Sequence, residues 1–209
     1  CESASHPHED CLSFDSDTFG YRGCLQTMST PVCPDLQPAT PKLGLGDEGT
    51  EEVSLGFTVD FYGHAYDSVH VGANGTLQFT HDAPWTSASN LCVPVAGHNG
   101  TIYAYWDDLN PANGGGVYAR TSGAAPKRTF EVQWIAPHYN GGAAIDVRAV
   151  VYEETGNVDV CYPTTDFGTS ADHGASASSG IQGSTTHFIS YSCFTASLTD
   201  GLVLRYTHP

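Results

Sequence analysis

LGFTVDFYGHAYDSVHVGANGTLQF, residues 55–79, is the stretch whose reading decides the fold. Leu55, Phe57, Val59 and Phe61 recur at every second position, and Val69 and Val71 resume the same period. A period of two is that of a β-strand, whose successive side chains point to opposite faces. Asn74 and Gly75 then separate this run from a further alternating one, Thr76–Phe79. Asn-Gly is the strongest short hairpin signal, because both residues accept the positive φ of a type I′ turn. The stretch reads as antiparallel strands around a tight turn at Asn74-Gly75.

The same pattern extends outward on both sides. VSLGFTVDF (53–61), TIYAYW (101–106), GVYART (116–121) and RTFEVQWIA (128–136) read as strands. AIDVRAVVYEETGNVDVCY (144–162) reads as a second hairpin turning at Thr155-Gly156-Asn157. SSGIQ (178–182), HFISYSCF (187–194) and GLVLRY (201–206) bring the total to about ten or eleven. Such spacing with Gly/Asn turns predicts an all-β, antiparallel, jelly-roll-like sandwich over residues 43–209. No sustained helical period competes with it. Residues 1–42 hold four of the seven cysteines together with Pro31, Pro34, Pro38 and Pro41, and read as a disulfide-tied extension with one short strand at most.

Composition limits the function classes. Seven Lys+Arg stand against 23 Asp+Glu, a formal net charge of −16. Nucleic-acid binding runs against that field, since phosphate neutralisation needs cations. The same field favours solubility and attracts cations. No apolar run reaches membrane-helix length. A chain that begins at Cys1 with seven cysteines and no CxxC pair predicts an exported protein whose signal has been removed, in a disulfide-permissive compartment. The odd cysteine is expected to be Cys1, where a lipid would provide the one membrane attachment. VDVCY and HFISYSCF read as strands near one end of the sandwich, which suggests a Cys161–Cys193 bond, and Cys24–Cys33 would close a short loop within the extension.

LGFTVDFYGHAYDSVHVGANGTLQF, followed by YWDDL (105–109) and GVY (116–118), resembles a module of bacterial secreted and surface proteins. With GGGVYARTSGAAPKRTFEVQWIAPHY and VVYEETGNVDVCY, the second half also resembles the nidogen-type extracellular domain. The resemblance covers about residues 43–206. It implies a noncatalytic β-sandwich in a structural or adhesive surface protein, with other surface proteins or glycans as partners.

YWDDLNP (105–111) is where the sequence first looks chemical. Adjacent strand residues face opposite ways, so Asp107 and Asp108 share one substrate only if the strand has already ended. No spacing nominates a second carboxylate for glycoside hydrolysis. Asp107, Asp108, Asn110 and Asn113 do supply the oxygens a calcium ion takes. The loop is not an EF-hand, since Ala112 and Ala119 occupy ligand positions counted from Asp108. The competing reading is an Asx-capped turn before Pro111.

Other candidates are thinner. His6, His8, Glu9 and Asp10 could chelate zinc or copper, but read as a solvated tail. Asp172-His173 in SADHGASASSG (170–180) lies on what reads as a flexible loop, where triad members do not meet. Asn74 and Asn99 open acceptor sequons. Trp134 is expected in the core, while Trp85, in the irregular HDAPWTSASN (81–90), is the aromatic best placed to contact a ligand. Three functions follow: a noncatalytic extracellular structural or adhesion protein, including a self-assembling filament subunit or homo-oligomer; a calcium- or carbohydrate-binding, lectin-like module; and a secreted hydrolase.

Overall fold

The computed structural model describes residues 11–27, 33–80 and 84–209. Cys1, the His6–Asp10 cluster and His81 lie outside the described residues. The described chain is all-β, as the period-two pattern predicts. The strands are β1 (Leu12–Ser16), β2 (Arg22–Thr27), β3 (Thr50–Phe61), β4 (His64–Gly72), β5 (Thr76–Gln78) and β6 (Thr101–Trp106). They continue as β7 (Gly116–Ser122), β8 (Thr129–His138), β9 (Gly141–Tyr152), β10 (Val158–Thr164), β11 (Ser178–Gln182), β12 (Phe188–Cys193) and β13 (Leu202–Thr207). Eleven match the expected strands; β1 and β2 are the additions, supplied by the extension.

Two antiparallel sheets face each other. One has the order β1-β2-β13-β10-β9-β8-β7 and the other β12-β11-β6-β5-β4-β3. β3 shows how sequence becomes packing: Leu55, Phe57, Val59 and Phe61 are buried and the residues between them exposed. Opposite them stand Phe130, Val132, Trp134 and Ala136 of β8. Trp134 is fully buried, as expected, and its indole N–H donates to the Gly72 carbonyl of the other sheet at 2.8 Å. Tyr162 likewise donates to the Ala104 carbonyl at 2.8 Å. These two bonds cross the core and satisfy polar groups that burial would otherwise penalise.

The sandwich is closed at its seams. Thr121 Oγ1 of β7 donates to the Leu55 carbonyl of β3 at 2.7 Å, and Arg128 donates to the Gly56 carbonyl. At the other side Phe14 of β1 meets Tyr191 of β12 edge to face at 4.9 Å. Edge strands left bare invite pairing with other chains; here the Leu55 and Gly56 carbonyls of the β3 edge are taken up within the chain.

The connection between β4 and β5 differs from the expected two-residue turn. Gly72 pairs with Thr76, so Ala73, Asn74 and Gly75 form a three-residue connection. Gly75 has φ 73°, whereas Asn74 is not among the positive-φ residues. Three-residue loops with one left-handed position are the next most common hairpin solution. The Ser-rich stretch also departs from the flexible loop expected of it. It forms a short 3-10 turn, Asp172–Gly174, and then β11. Asp172 Oδ1 accepts the backbone N–H groups of Phe167 and Thr169, both at 2.9 Å, and this pins the loop.

The disulfides are Cys11–Cys24, Cys33–Cys161 and Cys92–Cys193. The expected Cys161–Cys193 and Cys24–Cys33 pairs do not form. Cys161 lies on β10 and Cys193 on β12, in different sheets. Cys24 instead sits in the β1–β2 hairpin, directly opposite Ser13 and within reach of Cys11. Cys33, Cys161, Val150 and Val203 form a small apolar cluster of their own. That bond ties the 33–42 segment to the seven-stranded sheet, where Gln133 Oε1 also accepts the Leu36 N–H at 2.8 Å. β2 pairs with β13 over six residues, from Arg22↔Thr207 to Thr27↔Leu202, so the extension and the sandwich share one sheet.

The Cys33–Cys161 bond spans 128 residues. Restraining so long a loop stabilises the native state against the unfolded chain. Replacing both cysteines by serine is expected to lower stability by about 2–5 kcal/mol in urea denaturation. Non-reducing peptide mapping should recover Cys33 joined to Cys161.

Candidate functional site

β6 ends at Trp106, and the next residues turn at one end of the sandwich. Asp107 and Asp108 then serve different partners. Asp107 is 3% exposed. Its Oδ1 accepts the Asp108 N–H at 2.9 Å, and its Oδ2 accepts Ser176 Oγ at 2.7 Å. His138 Nε2 faces Oδ1 at 3.5 Å. His138 Nδ1 accepts the Asn140 N–H at 3.1 Å, which leaves Nε2 facing Asp107. Asp107 is spent inside the fold.

Asp108 turns the other way, toward a loop sixty residues earlier in the chain. Carboxylate oxygens of Asp47, Glu48 and Asp108 all lie within 4.8 Å of one another. The 44–49 loop is held there by hydrogen bonds: the Ala73 N–H donates to the Gly49 carbonyl at 2.9 Å, and Asn74 Nδ2 donates to Glu48 Oε2 at 2.9 Å. Asn74 Oδ1 accepts the Leu109 N–H at 3.0 Å and thereby fixes the Asp108 backbone. The Asp108 carbonyl accepts the Tyr139 N–H at 2.8 Å.

Two acceptor oxygens of this group are buried and have no hydrogen-bond partner, Asp47 Oδ1 and Asp108 Oδ1. Leaving such an acceptor unsatisfied costs about 1–3 kcal/mol, more when it is charged. Burial holds the Asp108 carboxyl above its usual range; His138 opposes this, while Asp47 and Asp107 add to it. Glu48 is raised too, by partial burial first and then by Asp108 and Asp47, against the Asn74 hydrogen bond. Among the described residues no Lys or Arg forms an ion pair with Asp47, Glu48 or Asp108. Four of the five arginines pair with Glu131, Glu153, Asp146 and Asp159 instead.

The four residues expected to share a cation are thus placed differently from one another. Asp107 faces inward, Asp108 joins Asp47 and Glu48, Asn110 turns a carbonyl oxygen into a buried position, and Asn113 is exposed on the following turn. Asp47 and Glu48 were not among the expected residues. Their one sequence signal is an acid pair inside the Gly-rich GLGDEG (44–49), and nothing local connects it to residue 108.

Beside this end, the 84–99 segment covers the outer face of the six-stranded sheet. Val93, Val95, Tyr103 and Trp106 form its apolar cluster, with Trp85 and Phe188 packed against it. Trp85 is half-buried, and its ring stacks on His98 at 3.8 Å and 7°. It also lines a crevice with Gly49, Asn74 and Thr76, adjoining the acidic loop. Cys92–Cys193 fastens the segment to β12. Asn74 is 4% exposed, with both side-chain polar atoms engaged, whereas Asn99 is exposed. The Asp172-His173 pair forms no triad with the serines. His173 Nδ1 meets the buried Thr165 Oγ1 at 3.2 Å, while Asp172 caps the loop.

Burial drives the His98 imidazole down to about 4 from its ordinary 6.5. The neutral ring is therefore the one that packs. Because the unfolded chain takes up this proton more readily, stability contributed by His98 is present above pH 6.5 and is lost as pH falls from there toward 4. NMR titration should show one histidine with an apparent pKa near 4, and replacing His98 by Phe should remove that part of the acid destabilisation.

No curated protein matches this chain, and no solved structure matches it. A family model described as NIDO related matches residues 30–203, which include β3–β12, Asp47, Glu48 and the whole β6–β7 turn. A nidogen-related domain with three disulfides fits an extracellular location. With most of its length matched to one family model and the two-sheet sandwich on the page, the chain belongs to the NIDO-related family.

Proposed function

We propose that this domain is a noncatalytic extracellular module with a structural or adhesive role, binding surface proteins or glycans. The observation that supports this most directly is the state of the acid–base pair at the end of β6. Asp107 and His138 are 3% and 9% exposed, and their polar atoms are committed to Asp108, Ser176, Asn140 and each other. General acid–base catalysis needs a group within reach of a substrate proton. A pair sealed in this way holds a turn.

Within this reading the domain acts as a monomeric unit. β2 is paired on both sides within its own chain, and the Leu55 and Gly56 carbonyls of the β3 edge are taken up by Thr121 and Arg128. Assembly into filaments would require those contacts to be exchanged between copies. Light scattering of the purified chain at high concentration should return the monomer mass; a concentration-dependent polymer would favour the filament role. The immobilised domain should bind saturably to surface proteins or polysaccharides without turning over hydrolase substrates. Turnover abolished by Asp107→Asn or His138→Ala would replace this reading with the hydrolase.

One observation favours a lectin-like second reading: the half-buried Trp85 is followed by the exposed polar side chains of Thr86 and Ser87. Sugar recognition combines such a ring with convergent polar groups. If it holds, Trp85→Ala should abolish glycan-array signals while leaving the fold intact by circular dichroism.

A further inference from the structure

We propose that Asp47, Glu48 and Asp108 form a calcium site that clamps the 44–49 loop to the turn after β6. The ligand set differs from the one the YWDDLNP motif suggests, since it draws two carboxylates from sixty residues away and leaves out Asp107, Asn110 and Asn113.

Spacing is the first argument. Calcium takes oxygen ligands at about 2.3–2.6 Å, so two oxygens on one ion stand at most about 5 Å apart. The three carboxylates present oxygens within 4.8 Å of one another. The second argument is independent of the clustering. Asp47 Oδ1 and Asp108 Oδ1 are buried and accept no hydrogen bond. These are acceptors only, so what completes them is a donor or a cation. The described lysines and arginines supply neither. Lys42 donates to the Gly115 carbonyl, and Arg120, Arg128, Arg148 and Arg205 pair elsewhere. His138, the nearby base, is turned to Asp107.

The donor chemistry selects the ion. Three carboxylates are hard oxygen ligands, with no thiolate or imidazole in the group to favour zinc or copper. Asn74 stands in support: it donates to Glu48 and holds the Leu109 backbone, so one side chain sets both halves of the site. Affinity in the range of extracellular modules, about 10⁻⁴–10⁻³ M, is expected for a site that joins two loops.

The test is calorimetric titration of calcium chloride into chelator-treated protein in about 0.15 M salt, which screens the diffuse attraction of an acidic surface. Saturable one-to-one binding is expected, with thermal unfolding shifted up by several degrees at millimolar calcium. Asp47→Asn and Asp108→Asn should each weaken binding at least tenfold, and Asn113→Ala should leave it unchanged. Both carboxylate variants are expected to fold, because each removes one charge from a crowded group. Without calcium their melting temperatures should equal or exceed that of the parent. The inference is overturned by no saturable heat up to 10 mM calcium, or by binding that survives both carboxylate variants. Binding lost on Asn113→Ala and kept in Asp47→Asn would return the site to the β6–β7 turn alone.

Discussion

The Asn74–Gly75 turn is the contact on which the functional end of this sandwich depends. The Gly75 carbonyl accepts the N–H groups of both Ala104 and Tyr105, at 3.0 and 3.1 Å, so the turn is wedged against β6. A Cβ at Gly75 would lie 2.1 Å from the Tyr105 carbonyl oxygen, and φ is 73°, so glycine is required twice over. With the turn in that place, the two ends of the Asn74 amide reach Glu48 and the Leu109 backbone. The hairpin signal and the acidic cluster are therefore the same piece of structure seen at two scales.

Both sheets are covered on their outer faces, and this explains the character of their central strands. β6 is buried at every position and β8 at nearly every one, where a half-exposed strand would alternate. The covers are irregular segments, 33–42 and 84–99, each fastened by a disulfide to the sheet below it. Irregular backbone has few ladder hydrogen bonds of its own, so Gln133 and Gln182 supply them. Gln133 accepts from Leu36, and Gln182 exchanges hydrogen bonds with Val95 at 2.8 and 2.7 Å. The covers in turn place Trp85 and His98 beside the acidic end.

Scarce positive charge is distributed by burial. Glu131 and Asp159 are 6% and 0% exposed, and each has an arginine at 2.7 Å. A buried carboxylate without a partner is strongly destabilising, so the arginines go where water is excluded. Asp47, Glu48 and Asp108 are left with one another. A net charge of −16 makes such a remainder unavoidable somewhere; the fold concentrates part of it at one junction of loops.

What the sequence determined by itself was local. Alternation at Leu55, Phe57, Val59 and Phe61, and the Gly/Asn turns, fixed strand positions, because the period of two is a property of the strand and not of its neighbours. The core place of Trp134 followed from the same pattern. Tertiary structure alone decided which cysteines meet, since Cys33 and Cys161 are separated by 128 residues and share an outer face only after β10 and β13 have paired. It also divided Asp107 from Asp108: their adjacency in sequence marked the place, but which carboxylate faces inward depends on His138 and Ser176 across the end of the sandwich. The approach of Asp47 and Glu48 to Asp108 could not be read in advance, because loops carry no periodicity and long-range proximity is set by how sheets stack.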